Sequence, residues 1–482
     1  MTDNLKDKAA RGIVWKFLDQ GGTQLIQFIS GIYIARILSP EDYGLVGMLA
    51  IFFAISQVFI DSGFKTVLIQ KGTEVTQDDY NVVFYFNVGI SIFFYLLIFF
   101  TAPLIARFFD EPRLVMIARV LGLSLVFSSL SIVHYIMFEK KLNFRTITKV
   151  KLVAILFSVV VGIGLATYGY GVWALVFMML TEVFVRTFLL WILNKWYPSY
   201  SFKIKIFKAL FSKGAKVLLA GILGQLNLNM FSFVIGKFYT TADVGFYSQG
   251  RKLQQRIGDF IVNSIFGVMF PVLSLIKDDI PRLRNSVRTN VKVTSLVAFP
   301  AIIGILVIAE PFIQLFLTEK WLPSVYYLEV LSVAGLFVVL SGSVGGFILA
   351  LGKFNLNLSL NVFNTIMLIV IIGMGLFFNV SLKQLMLGKI LQEAILLGVI
   401  VFYSKRIIAY GVFQLFIDAF PAFLFSILMG IVVIFIGKLF GISFIVLGLQ
   451  VISGILIYVM LNFIFNRKMI DEILRFSKSL IR

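Results

Sequence analysis

Polar and charged side chains recur at helical spacing inside strongly apolar segments, and such faces could bind a ligand. The strongest face has basic and polar residues at i, i+4, i+7 and i+11: Lys252, Arg256, Asp259 and Asn263. Residues at this spacing lie on one side of a helix. Because an arginine offers a fork of donors that matches phosphate oxygens, the face predicts a cavity wall that attracts a phosphate group. The alternative is an amphipathic helix start at the membrane surface.

Two other segments carry polar residues at similar spacing, and a single arginine lies in a third. We interpret them as further walls of the same cavity. For the charged residues close to a predicted helix end, the alternative is that the side chain extends to the nearby membrane surface. The residues are Lys16, Gln20 and Gln24, then Gln225 and Asn229, and then Arg119.

Two pairs of opposite charge are spaced four residues apart, Glu182 with Arg186 and Lys389 with Glu393. Each pair can close a salt bridge within its own helix, which lowers the cost of burying its charges. A structural pair is the favoured interpretation. The alternative is a role in gating or in coupling to H+ or Na+. The same alternative applies to Asp19, which lies beside the polar face of Lys16, Gln20 and Gln24.

The composition excludes several kinds of chemistry. The chain has no cysteine and one histidine, His134, so it has no disulfide, no cysteine nucleophile and no His-cluster metal centre. We find no glycine-rich phosphate cradle and no long external loop with catalytic residues. We therefore expect a protein that is not an enzyme, with no catalytic residues, no metal site and no bound cofactor.

The elements that must position the polar faces are long apolar helices. Hydrophobic residues make up 59% of the 482 positions and charged residues 14%, and the mean hydropathy is +0.97. A helix needs roughly 20 apolar residues to cross a bilayer. The sequence predicts an all-α integral membrane protein with about fourteen spans, at 13–37, 45–60, 82–106, 114–137, 150–168, 170–194, 212–238, 252–276, 292–317, 325–351, 356–378, 384–404, 417–440 and 442–465.

Basic residues predict the orientation of these spans. Most Lys and Arg fall at the two termini and in every second loop, and positive loops stay in the cytoplasm. We therefore expect both termini in the cytoplasm and the turns at 40–44 and 240–246 outside. The net charge of +19 is then explained by contacts with lipid headgroups and not by nucleic acid.

An internal repeat organises the chain. Residues 34–45 align with 235–246, which matches Arg36 with Lys237, Asp42 with Asp243, and Gly44 with Gly245. The repeated unit has six spans, an even number, so both copies enter from the same side and should be related by an axis along the membrane normal. We predict a six-helix bundle at 1–200, a second at 201–410, and two additional helices with a cytoplasmic tail at 411–482.

The segments I-A-R-I-L-S-P-E-D-Y-G-L-V-G-M and F-I-D-S-G-F-K-T-V-L-I-Q-K-G, within 33–72, carry a family resemblance. The chain resembles Wzx-type polysaccharide flippases of the multidrug/oligosaccharidyl-lipid/polysaccharide exporter superfamily, in the branch for colanic acid and related exopolysaccharides. The resemblance implies a transporter of the bacterial cytoplasmic (inner) membrane that flips undecaprenyl-pyrophosphate-linked oligosaccharide by alternating access. It implies as partners the lipid-linked oligosaccharide, membrane lipids, and the polysaccharide polymerase or chain-length machinery.

Two other functions remain open at this point. A drug/cation antiporter of the same superfamily would need a buried acidic residue and a pocket for cations, whereas the strongest polar face here is net basic. A membrane-embedded polysaccharide polymerase or ligase would have a large external loop with catalytic residues.

Overall fold

A computed structural model describes residues 21–467, except for the side chains of 257–268, 270–272, Thr73, Lys213 and Lys216. Long α-helices follow one another along the described chain and are joined by short turns. They are α1 (21–37, the described part), α2 (Pro40–Asp61), α3 (Phe64–Gln70), α4 (Gln77–Phe109), α5 (Leu114–Lys140), α6 (Phe144–Thr167), α7 (Val172–Leu193), α8 (Ile204–Phe238), α9 (Thr241–Leu275), α10 (Ile280–Val307), α11 (Ala309–Leu317), α12 (Ser324–Ala350), α13 (Phe354–Phe377), α14 (Leu382–Ile408), α15 (Val412–Phe440) and α16 (Phe444–Phe465).

The predicted all-α membrane fold is confirmed. Twelve helical segments among the described residues are long and apolar enough to cross a bilayer. The short predicted span at 45–60 is longer in the structure, because α2 and α3 together form one candidate span, Pro40–Gln70. The two predicted spans outside these twelve are 13–37, which is described only in part, and 252–276, which lies within the polar helix α9. The count of about fourteen is therefore approximate.

The chain divides into two compact units between Ser248 and Gln249. In the first unit α4 packs on α5, α6 on α7, α5 on α7, and α2 on α8. A cluster of buried apolar side chains from α3, α4, α5 and the start of α8 forms part of its core, including Phe64, Leu68, Val82, Val133 and Leu210. In the second unit α10 packs against α12 and α15, α12 against α14, and α15 against α16.

The segment that follows α7 is bonded to the beginning of α4. The indole nitrogen of Trp196 donates to Gln77 Oε1 at 2.7 Å, and Asn81 exchanges two hydrogen bonds with Ser199, at 2.6 and 3.0 Å. These bonds, with the packing of α8 on α2, explain why the first unit continues past residue 200. The predicted six-helix bundles, with boundaries at 200 and 410, stay a prediction, because a division into compact units does not test whether the two copies superimpose.

Candidate functional site

The first unit contains a polar cavity of about 320 Å³. Its walls come from five helices, α2, α3, α5, α6 and α7. The charged and large polar side chains that line it are Gln57, Asp61, Lys65, Tyr135, Lys151 and Arg186. Apolar residues such as Ile132 and Leu190 complete the walls.

A break between α2 and α3 places two of the charged residues in this cavity. The chain leaves α2 through Ser62 and Gly63, which both have left-handed backbone conformations with φ of 43° and 71°. A side chain on Gly63 would also lie 2.9 Å from the carbonyl oxygen of Gly214, so glycine is required here for backbone and for space. The break turns the chain so that Asp61, before it, and Lys65, after it, line the same space.

Three cations and one carboxylate line the cavity, and two of the cations have acidic neighbours. The ammonium of Lys65 lies 2.9 Å from Oε2 of Glu139 and 4.8 Å from the ring centre of Tyr135. Arg186 lies 3.9 Å from Glu182, too far for a short ion pair. Asp61 accepts a long hydrogen bond of 3.4 Å from Gln57. The lining side chains thus carry three positive charges and one negative charge, and the adjacent Glu139 and Glu182 bring the sum of these charges to zero.

Such an arrangement can bind an anion with hydroxyl groups next to it. Lysine and arginine donate charge-assisted hydrogen bonds to phosphate oxygens. Ser128, Ser131 and Tyr135 supply hydroxyl groups and an aromatic face on the α5 wall, which suit a sugar. Among the described residues no group of three or more His, Cys, Asp or Glu could hold a metal ion.

Of the residues predicted to form a site, Arg186 lines this cavity and its partner Glu182 lies beside it. Lys16, Asp19 and Gln20 lie outside the described residues. Gln24, on α1, is half-buried and is not among the residues that line the cavity.

Arg119 and the polar pair on α8 are engaged in other contacts. Nε of Arg119 donates to the backbone carbonyl oxygen of Phe99 at 3.2 Å. The Arg119 guanidinium also lies 4.4 Å from the centre of the Phe99 ring. On α8 the amide of Asn229 donates to the backbone and side-chain oxygens of Gln225, at 3.0 and 3.1 Å. The structure thus shows Arg119 fastening α5 to α4, and its role in substrate binding stays a prediction.

The strongest predicted face lies on α9 in the second unit. Lys252 is exposed and Arg256 is half-buried, whereas the side chains of Asp259 and Asn263 lie outside the described residues. The helical spacing that puts the four on one face is confirmed by α9, which runs continuously through all of them. Their binding role stays a prediction.

The second predicted ion pair is a short, buried contact. Lys389 lies 2.6 Å from Glu393 and donates to Gln392 at 3.1 Å. Gln392 in turn donates to the side chain of Asn364 on α13 at 2.8 Å. This network joins α13 to α14, as expected of a structural pair.

Sequence reasoning missed most of the cavity. Asp61 and Lys65 lie within the segment F-I-D-S-G-F-K, which carries the family resemblance but contains none of the predicted site residues. Two opposite charges that flank a Ser-Gly break in an apolar segment were the signal that could have identified them. Tyr135 and Lys151 had no such signal, because the packing of α5 against α2 and of α6 against α7 brings them to the site.

Comparison with known proteins gives the same family from several directions. The family model described as polysaccharide biosynthesis protein matches residues 33–326. Teichuronic acid biosynthesis protein TuaB of Bacillus subtilis is 25% identical over 352 residues, 72% of this chain and 72% of TuaB. Lipopolysaccharide biosynthesis protein WzxC of Escherichia coli is 23% identical over 375 residues, 77% of this chain and 76% of WzxC.

Solved structures share the fold at low sequence identity. An inward closed conformation of the lipid II flippase MurJ superimposes with a TM-score of 0.75 at 17% identity, over 95% of this chain and all of MurJ. An inward-facing multidrug resistance transporter of the MATE family, in the MOP superfamily, gives a TM-score of 0.64 at 15% identity, over 80% of this chain and 94% of its own. These likenesses show the fold of the chain.

Proposed function

Since this chain belongs to the family of polysaccharide biosynthesis proteins, we propose that it flips a lipid-linked oligosaccharide across a bacterial cytoplasmic membrane by alternating access. TuaB and WzxC are named for the biosynthesis of surface polysaccharides, and MurJ is named as a flippase of lipid II. By analogy with these proteins, we propose a substrate with a polar, anionic head and a long lipid tail.

The observation that carries the proposal is the set of three cations that line the cavity of the first unit. Ionisable side chains within membrane-spanning segments are rare and mark substrate or ion pathways, and three cations line this one cavity. A pyrophosphate diester supplies two negative charges that Lys65, Lys151 and Arg186 can neutralise while the head is in the membrane. The walls of the cavity are part polar and part apolar. Water can therefore solvate the cations, and the substrate head is bound weakly enough to be released.

The polar face of α9 is a second element of the proposed path. Lys252 and Arg256 add two cations in the second unit, and Asp259 and Asn263 follow them on the same helix. We propose that this face, together with Lys16, Gln20 and Gln24 near the N-terminus, contacts the polar head of the substrate during its passage.

The two other functions fit the described cavity less well. A cation antiporter would need a cavity with excess negative charge, whereas the three basic side chains here are matched by Asp61, Glu139 and Glu182. A polymerase or ligase would need catalytic side chains in a long external loop. Residues 40–44 and 241–246, which we expect outside, form the first turns of α2 and α9, and the links before them are only two residues long, 38–39 and 239–240.

Several further properties belong to the same proposal. We place both termini in the cytoplasm and the protein in the inner membrane. Coupling to H+ or Na+ would provide the driving force, and Glu182 and Arg186, at the edge of the cavity, are the coupling candidates closest to the substrate. The enzymes that polymerise the exported units are the proposed protein partners.

The experiment is a deletion strain that carries plasmid-borne variants. Loss of the protein should leave lipid-linked oligosaccharide in the inner leaflet, and the wild-type chain should restore surface polysaccharide. Normal surface polysaccharide in the deletion strain, with no accumulated lipid-linked precursor, would reject the proposed function.

A further inference from the structure

A proline lies inside the membrane-spanning helix α4, at position 103. In an α-helix the N–H of each residue donates to the carbonyl oxygen four residues earlier. Proline has no N–H, so Pro103 leaves the carbonyl oxygen of Phe99 without its main-chain donor. Within a bilayer such a carbonyl needs a donor from a neighbouring helix, because no solvent is available to replace the lost bond.

The neighbouring helix α5 supplies this donor through Arg119. Nε of Arg119 donates to the freed oxygen of Phe99 at 3.2 Å, and the guanidinium lies against the ring of the same residue. Arg119 thus replaces the main-chain N–H that is missing at Pro103. Helix α4 accordingly continues through the proline as one helix, Gln77–Phe109.

The second unit contains the same arrangement on different elements. Pro300 lies inside α10 and frees the carbonyl oxygen of Leu296, four residues earlier. The hydroxyl of Tyr458, on α16, donates to that oxygen at 2.8 Å. An arginine in one unit and a tyrosine in the other therefore take the place of a missing N–H, and each comes from another membrane-spanning helix.

A third proline, Pro311, coincides with an interruption of the helix. Pro311 matches Pro103 when residues 310–317 are aligned with 102–109. Helix α10 ends at Val307, the residue whose carbonyl Pro311 frees, and α11 begins two residues later. Helix α12, which takes the place of α5 in the predicted repeat, contains no lysine or arginine. The comparison indicates that a donor such as Arg119 allows a helix to continue past a proline.

The part of α4 beyond Pro103 holds the end of α8. The ring of Phe108 stacks on that of Phe233 with 5.2 Å between the centres. The ammonium of Lys237 lies 3.2 Å from the carboxylate of Asp110, in the turn after α4. A change of direction at Pro103 would therefore move the end of α8 together with the end of α4.

We propose that α4 and α10 bend at Pro103 and Pro300 during transport, and that Arg119 and Tyr458 are positioning residues that fasten these two bend points. A bond from a side chain can open and re-form while the helix bends, and no main-chain bond has to break at that carbonyl. The inference rests on the proposed transport function. It gives Arg119 a role through the carbonyl of Phe99 and not through contact with the substrate.

A double-mutant cycle tests whether Arg119 acts through Pro103. Arg119→Leu removes the donor and should lower the thermal unfolding temperature by several degrees. In the Pro103→Ala background residue 103 has an N–H that can bond to Phe99, so Arg119→Leu should then have little effect. If Arg119→Leu yields too little protein to unfold, recovery of abundance in the double variant is the equivalent result. Equal losses in the two backgrounds would overturn the role of Arg119.

Arg119→Gln separates the donor from the charge. The amide nitrogen of glutamine lies as many bonds from Cα as Nε of arginine does, so it can donate to the same oxygen without a positive charge. We expect Arg119→Gln to keep most of the export at normal abundance, whereas Arg119→Leu should reduce export several-fold. A loss in Arg119→Gln as large as that in Arg119→Leu would show that the charge is required, and would overturn the proposed role.

The same cycle applies to the second unit. Tyr458→Phe removes only the hydroxyl group and should lower the unfolding temperature. Its effect should be much smaller in the Pro300→Ala background, where residue 300 can bond to Leu296. An effect of the same size in both backgrounds would show that the hydroxyl does not act through Pro300.

The proline variants test the bending itself. Pro103→Ala and Pro300→Ala restore a main-chain bond, so each protein should unfold at the wild-type temperature or above it, while export per unit of transporter falls several-fold. Pro281→Ala is the matched control and should export normally, because Pro281 lies in the first turn of α10, where an N–H has no acceptor within the helix.

Normal export by Pro103→Ala would overturn the bend in α4, and normal export by Pro300→Ala would overturn the bend in α10. Neither result affects the proposed function, which fails only if the wild-type chain does not restore export in the deletion strain.

Discussion

Lys65 and Glu139 connect α3 to α5 at the edge of the cavity, with 2.9 Å between the ammonium and the carboxylate. The pair joins the short helix after the Ser62–Gly63 break to the end of a membrane-spanning helix. It holds one of the three cavity cations in place while leaving it 44% exposed. A lysine that is both tethered and accessible can exchange its carboxylate partner for a phosphate oxygen.

We therefore expect Lys65→Ala to reduce export about tenfold or more, since a hydrogen bond to a charged group contributes about 1.5–3 kcal/mol and 1.4 kcal/mol is a factor of ten. Glu139→Gln keeps the ammonium and should retain most of the export. The measurement is surface polysaccharide per unit of transporter in the membrane. Equal losses of export in the two variants would show that export requires the ion pair itself and not the Lys65 cation alone.

Export should depend on the shape of the Arg186 side chain as well as on its charge. Arg186→Ala is expected to abolish export, and Arg186→Lys to restore it only in part, because lysine lacks the planar fork of donors. Arg406→Ala is the matched control, since that guanidinium is exposed and lies against the ring of Phe402, 4.3 Å from its centre. Full export by Arg186→Ala at normal abundance would remove Arg186 from the site.

The break between α2 and α3 should depend on Gly63. Gly63→Ala combines a left-handed backbone conformation with a close approach to the oxygen of Gly214, and we expect it to destabilise the protein by about 1–3 kcal/mol. Gly89→Ala, on α4 with no atom within 4 Å of the added methyl, is the control. Thermal unfolding in detergent compares the two. Unchanged stability of Gly63→Ala would contradict the described geometry of the break.

An ion pair with a buried carboxylate in the second unit should be a determinant of stability. Arg288 on α10 donates two hydrogen bonds of 2.9 Å to Asp418 on α15, and the fully buried Asp418 also accepts one from Tyr410 at 3.2 Å. Arg288→Ala leaves this carboxylate without its cation and should cost about 3–5 kcal/mol.

Arg288→Lys is the informative companion variant, because it keeps the charge and loses one of the two bonds. Its thermal stability should fall between that of Arg288→Ala and that of the wild-type protein. An Arg288→Ala protein that unfolds at the wild-type temperature would show that Asp418 is neutral or is compensated by another group.

The sequence predicted the helices better than it predicted the cavity. Apolar runs fix the spans, because a bilayer demands a minimum length of apolar helix, and most of the predicted spans coincide with described helices. The i, i+4 pairs were also predictable, since helical spacing alone brings Lys389 to Glu393. The alignment pairs Gly44 with Gly245, whereas the close approach of Gly44 to Thr241 and of Gly245 to Pro40 is visible only in three dimensions.

The cavity could not be predicted because its walls come from five helices that are distant in sequence. Lys151 is one basic residue among several in a basic segment, and only the packing of α6 on α7 distinguishes it. Arg119 illustrates the opposite case. An arginine in an apolar span suggested a binding role, yet the structure shows it bound to the backbone and ring of Phe99.

The central claim is that the chain moves a lipid-linked oligosaccharide between leaflets, and reconstitution tests it most directly. Purified protein would be placed in liposomes that contain a fluorescent polyprenyl-pyrophosphate-linked oligosaccharide, and the fraction accessible to an external quencher would be followed with time. We predict that wild-type protein speeds the exchange between leaflets and that Arg186→Ala does so far less. Exchange no faster than in protein-free liposomes, under an imposed H+ gradient and again under an imposed Na+ gradient, would contradict the account.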